Sequence, residues 1–126
     1  MPPLQILLVE DNDDLRATFA ETLEEAGHAV IACADGETAM ALWPTRDFDA
    51  LFTDISLPGI SGTELTRRVL ADDPLRWVIW CSGYEYSAAM ADFGPNVRVL
   101  PKAFEFDELD TLCLEIGQSR HGTSRA

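Results

Sequence analysis

Three acidic residues directly follow short apolar runs, at positions where carboxylates could do chemistry. Glu10 and Asp11 come after the apolar run 6–9, and Asp54 comes after the apolar run 50–53. Carboxylates brought within about 4 to 6 Å would repel by roughly 4 kcal/mol per close pair at an effective dielectric constant near 20, so a cation must offset them. Oxygen ligands with no histidine or cysteine beside them favour Mg²⁺, with Mn²⁺ or Ca²⁺ as substitutes, over zinc or copper.

Two further polar side chains follow predicted strands in the same way. Ser82 comes after the run 78–81, and Lys102, the single lysine of the chain, lies two residues beyond the run 97–100. Beside a magnesium site, a compact ammonium group can pair with one phosphoryl oxygen while the cation takes a second and a hydroxyl donates to a third. The five residues together therefore predict a site that binds a phosphoryl group.

Simpler interpretations compete with this one. A carboxylate that follows a strand often caps the next helix, as Asp11 or Asp13 could do here. Lys102 could form a plain salt bridge with an aspartate, or the site could bind a phosphate ester from solution. A common site is favoured because two apolar runs end in carboxylates and the single lysine lies beside them.

The apolar pattern also predicts the elements that position these residues. Short continuous apolar runs suit strands that are covered on both faces. Between the runs, apolar residues recur every three or four positions, which is typical of helices with one buried face. The pattern predicts strands near 6–9, 29–34, 50–53, 78–81 and 97–100, alternating with helices near 15–26, 37–43, 61–70, 87–93 and 109–116.

This alternation indicates an α/β fold built on a doubly wound parallel sheet. Ligands of such sheets bind beyond the carboxyl ends of the strands, which is where the candidate residues lie. The chain has 126 residues, which is enough for one core and too little for two. We expect a single domain over residues 1–118 and a short flexible tail over 119–126, where apolar periodicity is lost.

The charge of the chain excludes several classes of partner. Its 22 acidic residues outnumber 9 basic residues, which gives a net charge of −13 at pH 7. So acidic a surface repels phosphate backbones and anionic headgroups, and we expect no nucleic-acid and no membrane partner. Because the sequence lacks a membrane-length apolar stretch and a basic secretion signal, it predicts a cytoplasmic protein. The three cysteines show no C-x-x-C spacing and are expected to be buried, reduced thiols.

Four segments of the chain form a recognisable combination: Ile6-Leu7-Leu8-Val9-Glu10-Asp11, Thr53-Asp54-Ile55-Ser56-Leu57-Pro58-Gly59-Ile60-Ser61-Gly62, Val78-Ile79-Trp80-Cys81-Ser82-Gly83 and Leu100-Pro101-Lys102-Ala103-Phe104. Together they resemble the response-regulator receiver domain of two-component signalling, the CheY-like family. The resemblance extends from about residue 4 to residue 117 and implies a flavodoxin-like (βα)5 fold with strand order 2-1-3-4-5.

The resemblance implies a role for each acidic candidate. Asp54 would be the phosphoacceptor, whose carboxylate attacks phosphorus to form an aspartyl phosphate. The side chains of Asp11 and Asp54 and the backbone carbonyl of Ser56 would hold Mg²⁺. Glu10 would act through a metal-bound water.

The same resemblance implies roles for the remaining candidates and the kind of partner. Lys102 would neutralise charge on the transferred group together with the cation, and Ser82 would move to hydrogen-bond the phosphoryl group. The donor would be a sensor histidine kinase or a histidine phosphotransfer protein. The receiver would catalyse its own phosphotransfer and autodephosphorylation without being an enzyme for other substrates. We expect a stand-alone receiver whose output passes through contact with a downstream protein, with phosphorylation-dependent homodimerisation open.

Two positions depart from the family pattern. Ala103 follows the lysine, where most receivers have proline, and the proline of this chain, Pro101, precedes it. Val99 stands where the family usually has tyrosine or phenylalanine, so another aromatic residue or another surface movement would carry the output. Tyr84, two residues after the serine, is expected to shield the phosphoryl group from water and lengthen its lifetime.

Two other functions compete with the signalling switch. A degenerate receiver would act as a phosphorylation-independent binding module, which the two departures favour and the intact Asp54 and Lys102 oppose. A small magnesium-dependent phosphohydrolase would use the same nucleophile on soluble esters. Such enzymes usually place a second acid two residues after the nucleophile for general acid catalysis, and this chain has Ser56 there.

Overall fold

The strands of the chain form one parallel sheet. The computed structural model describes residues 3–55, 57–82, 96–101 and 106–119, with the backbone alone at 82, 101 and 106. Over those ranges there are five strands: β1 Gln5–Val9, β2 Ala29–Cys33, β3 Ala50–Thr53, β4 Trp77–Ser82 and β5 Val97–Pro101. They lie in the order β2-β1-β3-β4-β5, with every pairing parallel. The predicted doubly wound sheet and its strand order are confirmed.

Helices connect the strands and cover both faces of the sheet. The described α-helices are α1 Asp13–Glu25, α2 Gly36–Leu42, α3 Gly62–Asp72 and α4 Phe106–Gly117. Helix α2 ends one residue earlier than predicted and gives way to a 3₁₀ helix over Trp43–Thr45, because Pro44 has no N–H to continue an α-helix. The helix predicted near 87–93 lies outside the described residues.

The continuous apolar runs are buried because they alternate between two cores. In β1, Ile6 and Leu8 belong to the cluster that includes Leu23 of α1 and the buried side chains of α4. Leu7 and Val9 face the other way, into the cluster beneath α2 and α3. A strand covered on both sides in this way has no polar face, so the first polar side chains after it mark the sheet edge.

The cysteines are buried and reduced, as predicted. Cys33, Cys81 and Cys113 are free thiols, and each is at most 8% exposed. Burial raises the pKa of Cys33 to about 11 and the pKa of Cys113 to about 12. Both thiols therefore stay protonated at neutral pH, which makes them poor nucleophiles and poor metal ligands.

Helix α1 buries less of its apolar face than the spacing predicts. Leu23 is fully buried, but Leu15 is 44% exposed. Leu15 lies in the first turn of the helix, close in the chain to the carboxyl end of β1. Gly27, just past the helix, adopts φ +99°, a left-handed conformation that suits glycine at a helix end.

A buried histidine lies at the opposite, amino-terminal edge of the sheet. His28 is 5% exposed, and its Nδ1 accepts a hydrogen bond from the N–H of Leu4 at 3.1 Å. The imidazole proton is therefore on Nε2, which has no hydrogen-bond partner among the described residues. Burial lowers the pKa of His28, although the negative charges of Asp110 and Asp49 act to raise it.

The stability of the fold should consequently fall on mild acidification. The unfolded chain takes up a proton at His28 near the ordinary pKa of about 6.5, whereas the folded chain resists protonation to a lower pH. The free energy of unfolding is then fully retained above the unfolded pKa of about 6.5, and it is lost as the pH falls from there towards the lower folded pKa. For one proton the slope is at most about 1.4 kcal/mol per pH unit.

Urea unfolding between about pH 7.5 and about pH 5.5 measures this slope. A His28→Gln variant cannot titrate, yet its amide oxygen can still accept from Leu4, so its free energy of unfolding should depend less on pH. Equal slopes for the two proteins would show that His28 does not titrate differently on unfolding.

Candidate functional site

The pairing of the central strands brings two candidate residues side by side. Val9 pairs with Thr53 in parallel register, so Glu10 and Asp54 leave the sheet at the same level. The ladder continues beyond the strands: Asp54 N–H donates to the Val9 carbonyl at 3.1 Å, and Glu10 N–H donates to the Cys33 carbonyl at 3.1 Å. The backbones of both acidic residues are thus held by the sheet.

The carboxylates of Glu10, Asp11 and Asp54 form a compact cluster. One ligand oxygen from each lies within 4.8 Å of the other two. Glu10 is 4% exposed and Asp54 is 8% exposed, while Asp11 is exposed. At this spacing, and at an effective dielectric constant near 20, each pair repels by roughly 3 to 4 kcal/mol. The arrangement suits a hard divalent cation, which oxygen ligands bind.

Two neighbours hold the Glu10 side of the cluster. The N–H of Asn12 donates to Glu10 Oε2 at 3.1 Å. Arg16 donates through Nη1 to the Glu10 carbonyl at 3.0 Å and through Nη2 to Asp13 Oδ1 at 2.6 Å. These contacts hold both the backbone and the carboxylate of Glu10, just after β1, against the start of α1.

Asn12, and neither Asp11 nor Asp13, caps helix α1. Its Oδ1 accepts from the N–H of Leu15 at 3.0 Å, and its backbone is extended, as an N-cap requires. The competing interpretation that one of the two aspartates is the cap is therefore wrong. Asp11 instead contributes its carboxylate to the cluster.

The loop from Asp54 into α3 is held by close backbone packing. Gly62 N–H donates to the Ile55 carbonyl at 2.9 Å, and Thr53 Oγ1 donates to the Asp54 carbonyl at 2.9 Å. A Cβ on Gly62 would lie 2.2 Å from the Asp54 carbonyl oxygen and 2.7 Å from the Ile55 Cα. Only glycine permits this approach. Earlier in the loop, Gly59 follows Pro58 and adopts φ +71°, a conformation that suits glycine in a turn.

The outer strands end at the same edge of the sheet. Ser82, the last residue of β4, pairs with Pro101, the last residue of β5. Trp80 pairs with Thr53, so the backbone of Ser82 lies one residue beyond the level of Asp54. The backbones of Ser82 and Pro101 therefore lie at the same edge of the sheet as Glu10 and Asp54.

Several predicted site positions lie outside the described residues. They include the backbone carbonyl of Ser56, the ammonium group of Lys102, the ring of Tyr84 and the peptide bond between Lys102 and Ala103. The side chain of Ser82 is not described either. Their roles stay predictions.

Two buried polar side chains behind the site were not predicted. Trp80 and Thr66 are both 0% exposed, and the Trp80 Nε1–H donates to Thr66 Oγ1 at 2.9 Å. Thr66 lies on the same helical stripe as the buried apolar residues Leu65 and Val69. That stripe was the available signal, since a threonine on it has to find a hydrogen-bond partner.

The comparisons with known proteins identify the family. A family model described as the response regulator receiver domain matches residues 6–113. The chain belongs to the response regulator receiver family. The response regulator receiver protein CpdR of Brucella abortus is 33% identical to this receiver over 107 residues, which are 83% of this chain and 89% of CpdR.

Other relatives are parts of larger proteins. The virulence sensor protein BvgS of Bordetella pertussis is 43% identical to this receiver over 68 residues, 54% of this chain and only 6% of BvgS. The solved receiver domain of the hybrid histidine kinase CckA is 30% identical, with a TM-score of 0.74 over 89% of this chain and 97% of that domain.

The family membership confirms the resemblance seen in the sequence. A receiver is a signalling module of a two-component system, and receivers are in general not enzymes for other substrates. Among the helices that the structure describes, none combines the length and the apolar character needed to cross a membrane.

Proposed function

We propose that this receiver accepts a phosphoryl group on Asp54 in a magnesium-dependent reaction and signals through contact with another protein. The observation that carries the proposal is the carboxylate cluster. Asp54 is largely buried, and ligand oxygens of Glu10 and Asp11 lie within 4.8 Å of its own. An acceptor carboxylate among two further acidic groups needs a cation before an anionic phosphoryl donor can approach it.

The residues present fit Mg²⁺. All the cluster ligands are carboxylate oxygens, which hard divalent cations prefer. The side chains of Asp11 and Asp54 and the carbonyl of Ser56 would hold the ion directly, with Glu10 acting through a bound water. Bound there, Mg²⁺ would neutralise negative charge on the oxygens of the transferred group.

The chemistry assigned to the chain is a single displacement at phosphorus. The donor is a phosphohistidine on a sensor histidine kinase or a histidine phosphotransfer protein. A carboxylate oxygen of Asp54 bonds to phosphorus as the phosphorus–nitrogen bond breaks, and the imidazole leaves with the electron pair. Lys102 pairs with a phosphoryl oxygen and the Ser82 hydroxyl donates to another, which stabilises a transition state whose charge is spread over these oxygens. Attack by water on the aspartyl phosphate ends the signal.

Removal of the metal tests this proposal. Incubation with acetyl phosphate and Mg²⁺ should raise the intact mass of the chain by one phosphoryl group, and a chelator such as EDTA should prevent the gain. Mn²⁺ should restore it. The mass of the whole chain, measured by mass spectrometry over a time course, gives both the yield and the lifetime of the acyl phosphate.

The competing functions would give other results. A phosphorylation-independent binding module would gain no mass at any concentration of Mg²⁺. A phosphohydrolase would hydrolyse a chromogenic phosphate ester with rapid turnover. Either outcome would overturn the proposed switch.

A further inference from the structure

A buried chain of two hydrogen bonds connects strand β4 with helix α3. Trp80 Nε1–H donates to Thr66 Oγ1 at 2.9 Å, and that hydroxyl donates to the Gly62 carbonyl at 2.7 Å. Trp80 and Thr66 are both 0% exposed. An indole N–H can only donate, so the hydroxyl must accept from it and give its own proton to Gly62. The direction of both bonds is therefore fixed.

One end of this pair of hydrogen bonds reaches the backbone beside Asp54, the proposed phosphoacceptor. Gly62 N–H donates to the Ile55 carbonyl at 2.9 Å. The same glycine packs so closely on Asp54 that an added Cβ would lie 2.2 Å from its carbonyl oxygen. The first turn of α3 and the backbone after Asp54 therefore cannot move independently.

The other end belongs to the strand that carries Ser82. Trp80 lies two residues before Ser82 in β4, and it pairs with Thr53 on one side and Val99 on the other. Its indole is buried in the cluster that also contains Leu65 of α3. Breaking either hydrogen bond would leave a buried polar group without a partner, which is strongly unfavourable.

We propose that Thr66 and Trp80 are positioning residues that hold the carboxyl end of β4 in place relative to Asp54. A phosphoryl group on Asp54 then displaces the start of α3 and the end of β4 as one unit, and Ser82 moves with them. The proposal rests on the proposed function, because it concerns how the same site responds to its phosphoryl group.

Beryllofluoride, a mimic of the phosphoryl group, provides the test. Its affinity in the presence of Mg²⁺ is measured by titration calorimetry for Thr66→Val, which removes the hydroxyl at nearly constant volume, and for Trp80→Phe, which removes the indole N–H. Each variant should bind it about tenfold more weakly than the wild type. The double variant should bind beryllofluoride only slightly more weakly than the weaker-binding single variant, because both substitutions remove the same hydrogen bond. Thr66→Ser, which keeps the hydroxyl, should bind it as tightly as the wild type.

Val69→Ala is the matched control for a loss of stability alone. Val69 is 1% exposed on the same face of α3, one turn beyond Thr66 and outside the hydrogen-bonded chain. The Val69→Ala substitution should lower the free energy of unfolding in urea while leaving the affinity for beryllofluoride unchanged.

A second measurement needs no variant that destabilises the core. In the wild type, the indole N–H resonance of Trp80 should shift on addition of beryllofluoride, and that of Trp77, at the other end of β4, should not.

The outcomes separate this proposal from the function on which it rests. If the wild type binds beryllofluoride and both single variants bind it equally well, the positioning role is overturned and the phosphorylation site stands. An unshifted Trp80 resonance in the loaded wild type would overturn it too. If the wild type itself binds no beryllofluoride with Mg²⁺, the proposed function fails and the positioning role falls with it.

Discussion

An Asp54→Asn variant should gain no phosphoryl group from acetyl phosphate and Mg²⁺ under conditions in which the wild type is modified. The amide is almost the same size as the carboxylate, so the fold should be kept, but it offers no anionic oxygen to attack phosphorus. Intact-mass measurements on the two proteins in parallel check this. A variant that gains the same mass at the same rate would show that the acceptor is another residue.

The same substitution should stabilise the metal-free protein. Asp54 is 8% exposed and has two carboxylates as close neighbours, so removing its charge relieves their repulsion and should raise the free energy of unfolding. The advantage should shrink when Mg²⁺ is added, because binding to the native state stabilises the wild type. Asp13→Asn is the control. The Asp13 side chain is 85% exposed and pairs with Arg16, so this substitution should change the free energy of unfolding by no more than about 1 kcal/mol.

Replacing Gly62 with alanine should damage both stability and the site. The added Cβ would lie 2.2 Å from the Asp54 carbonyl oxygen and 2.7 Å from the Ile55 Cα. Both are backbone atoms, so relief requires the loop to move. We expect a loss of about 3 kcal/mol or more in the free energy of unfolding in urea, with Mg²⁺ affinity reduced as the Asp54 backbone shifts.

Gly27→Ala gives the comparison for backbone strain without a clash. Gly27 has φ +99°, but an added Cβ would meet nothing within 4 Å, so the cost should be only about 1 to 2 kcal/mol. Its Mg²⁺ affinity should equal that of the wild type. Similar losses for the two variants would mean that the contact between Gly62 and Asp54 does not constrain the loop.

The positions of the acidic residues could be predicted because strand ends are visible in the sequence. The run before Glu10 is continuously apolar and stops abruptly at the acid, and the run before Asp54 is apolar up to Thr53. Parallel strands present their carboxyl ends at one edge, so the cluster followed from topology alone. The distances between its ligand oxygens, all within 4.8 Å, depend on the register between Val9 and Thr53, which no local pattern encodes.

Features that depend on contacts across the fold could not be predicted in this way. Asp11 and Asp13 were the expected caps of α1, whereas the cap is Asn12, which lies between them and is selected by its extended backbone and its hydrogen bond from Leu15. Leu15 fits the apolar spacing, yet it is 44% exposed in the first turn of α1. The bond between Trp80 and Thr66 joins residues 14 positions apart, and neither belongs to a recognisable motif.

The sequestration of the thiols makes this receiver convenient for site-specific labelling. Maleimide dyes react with thiolates, and the raised pKa values of Cys33, about 11, and Cys113, about 12, keep these two thiols protonated. Cys81 is 3% exposed. A single cysteine introduced at an exposed position such as Leu114, which is 46% exposed, would be labelled selectively in the otherwise native sequence. Fluorescence from one chosen point on α4 could then follow the proposed response to phosphorylation in real time.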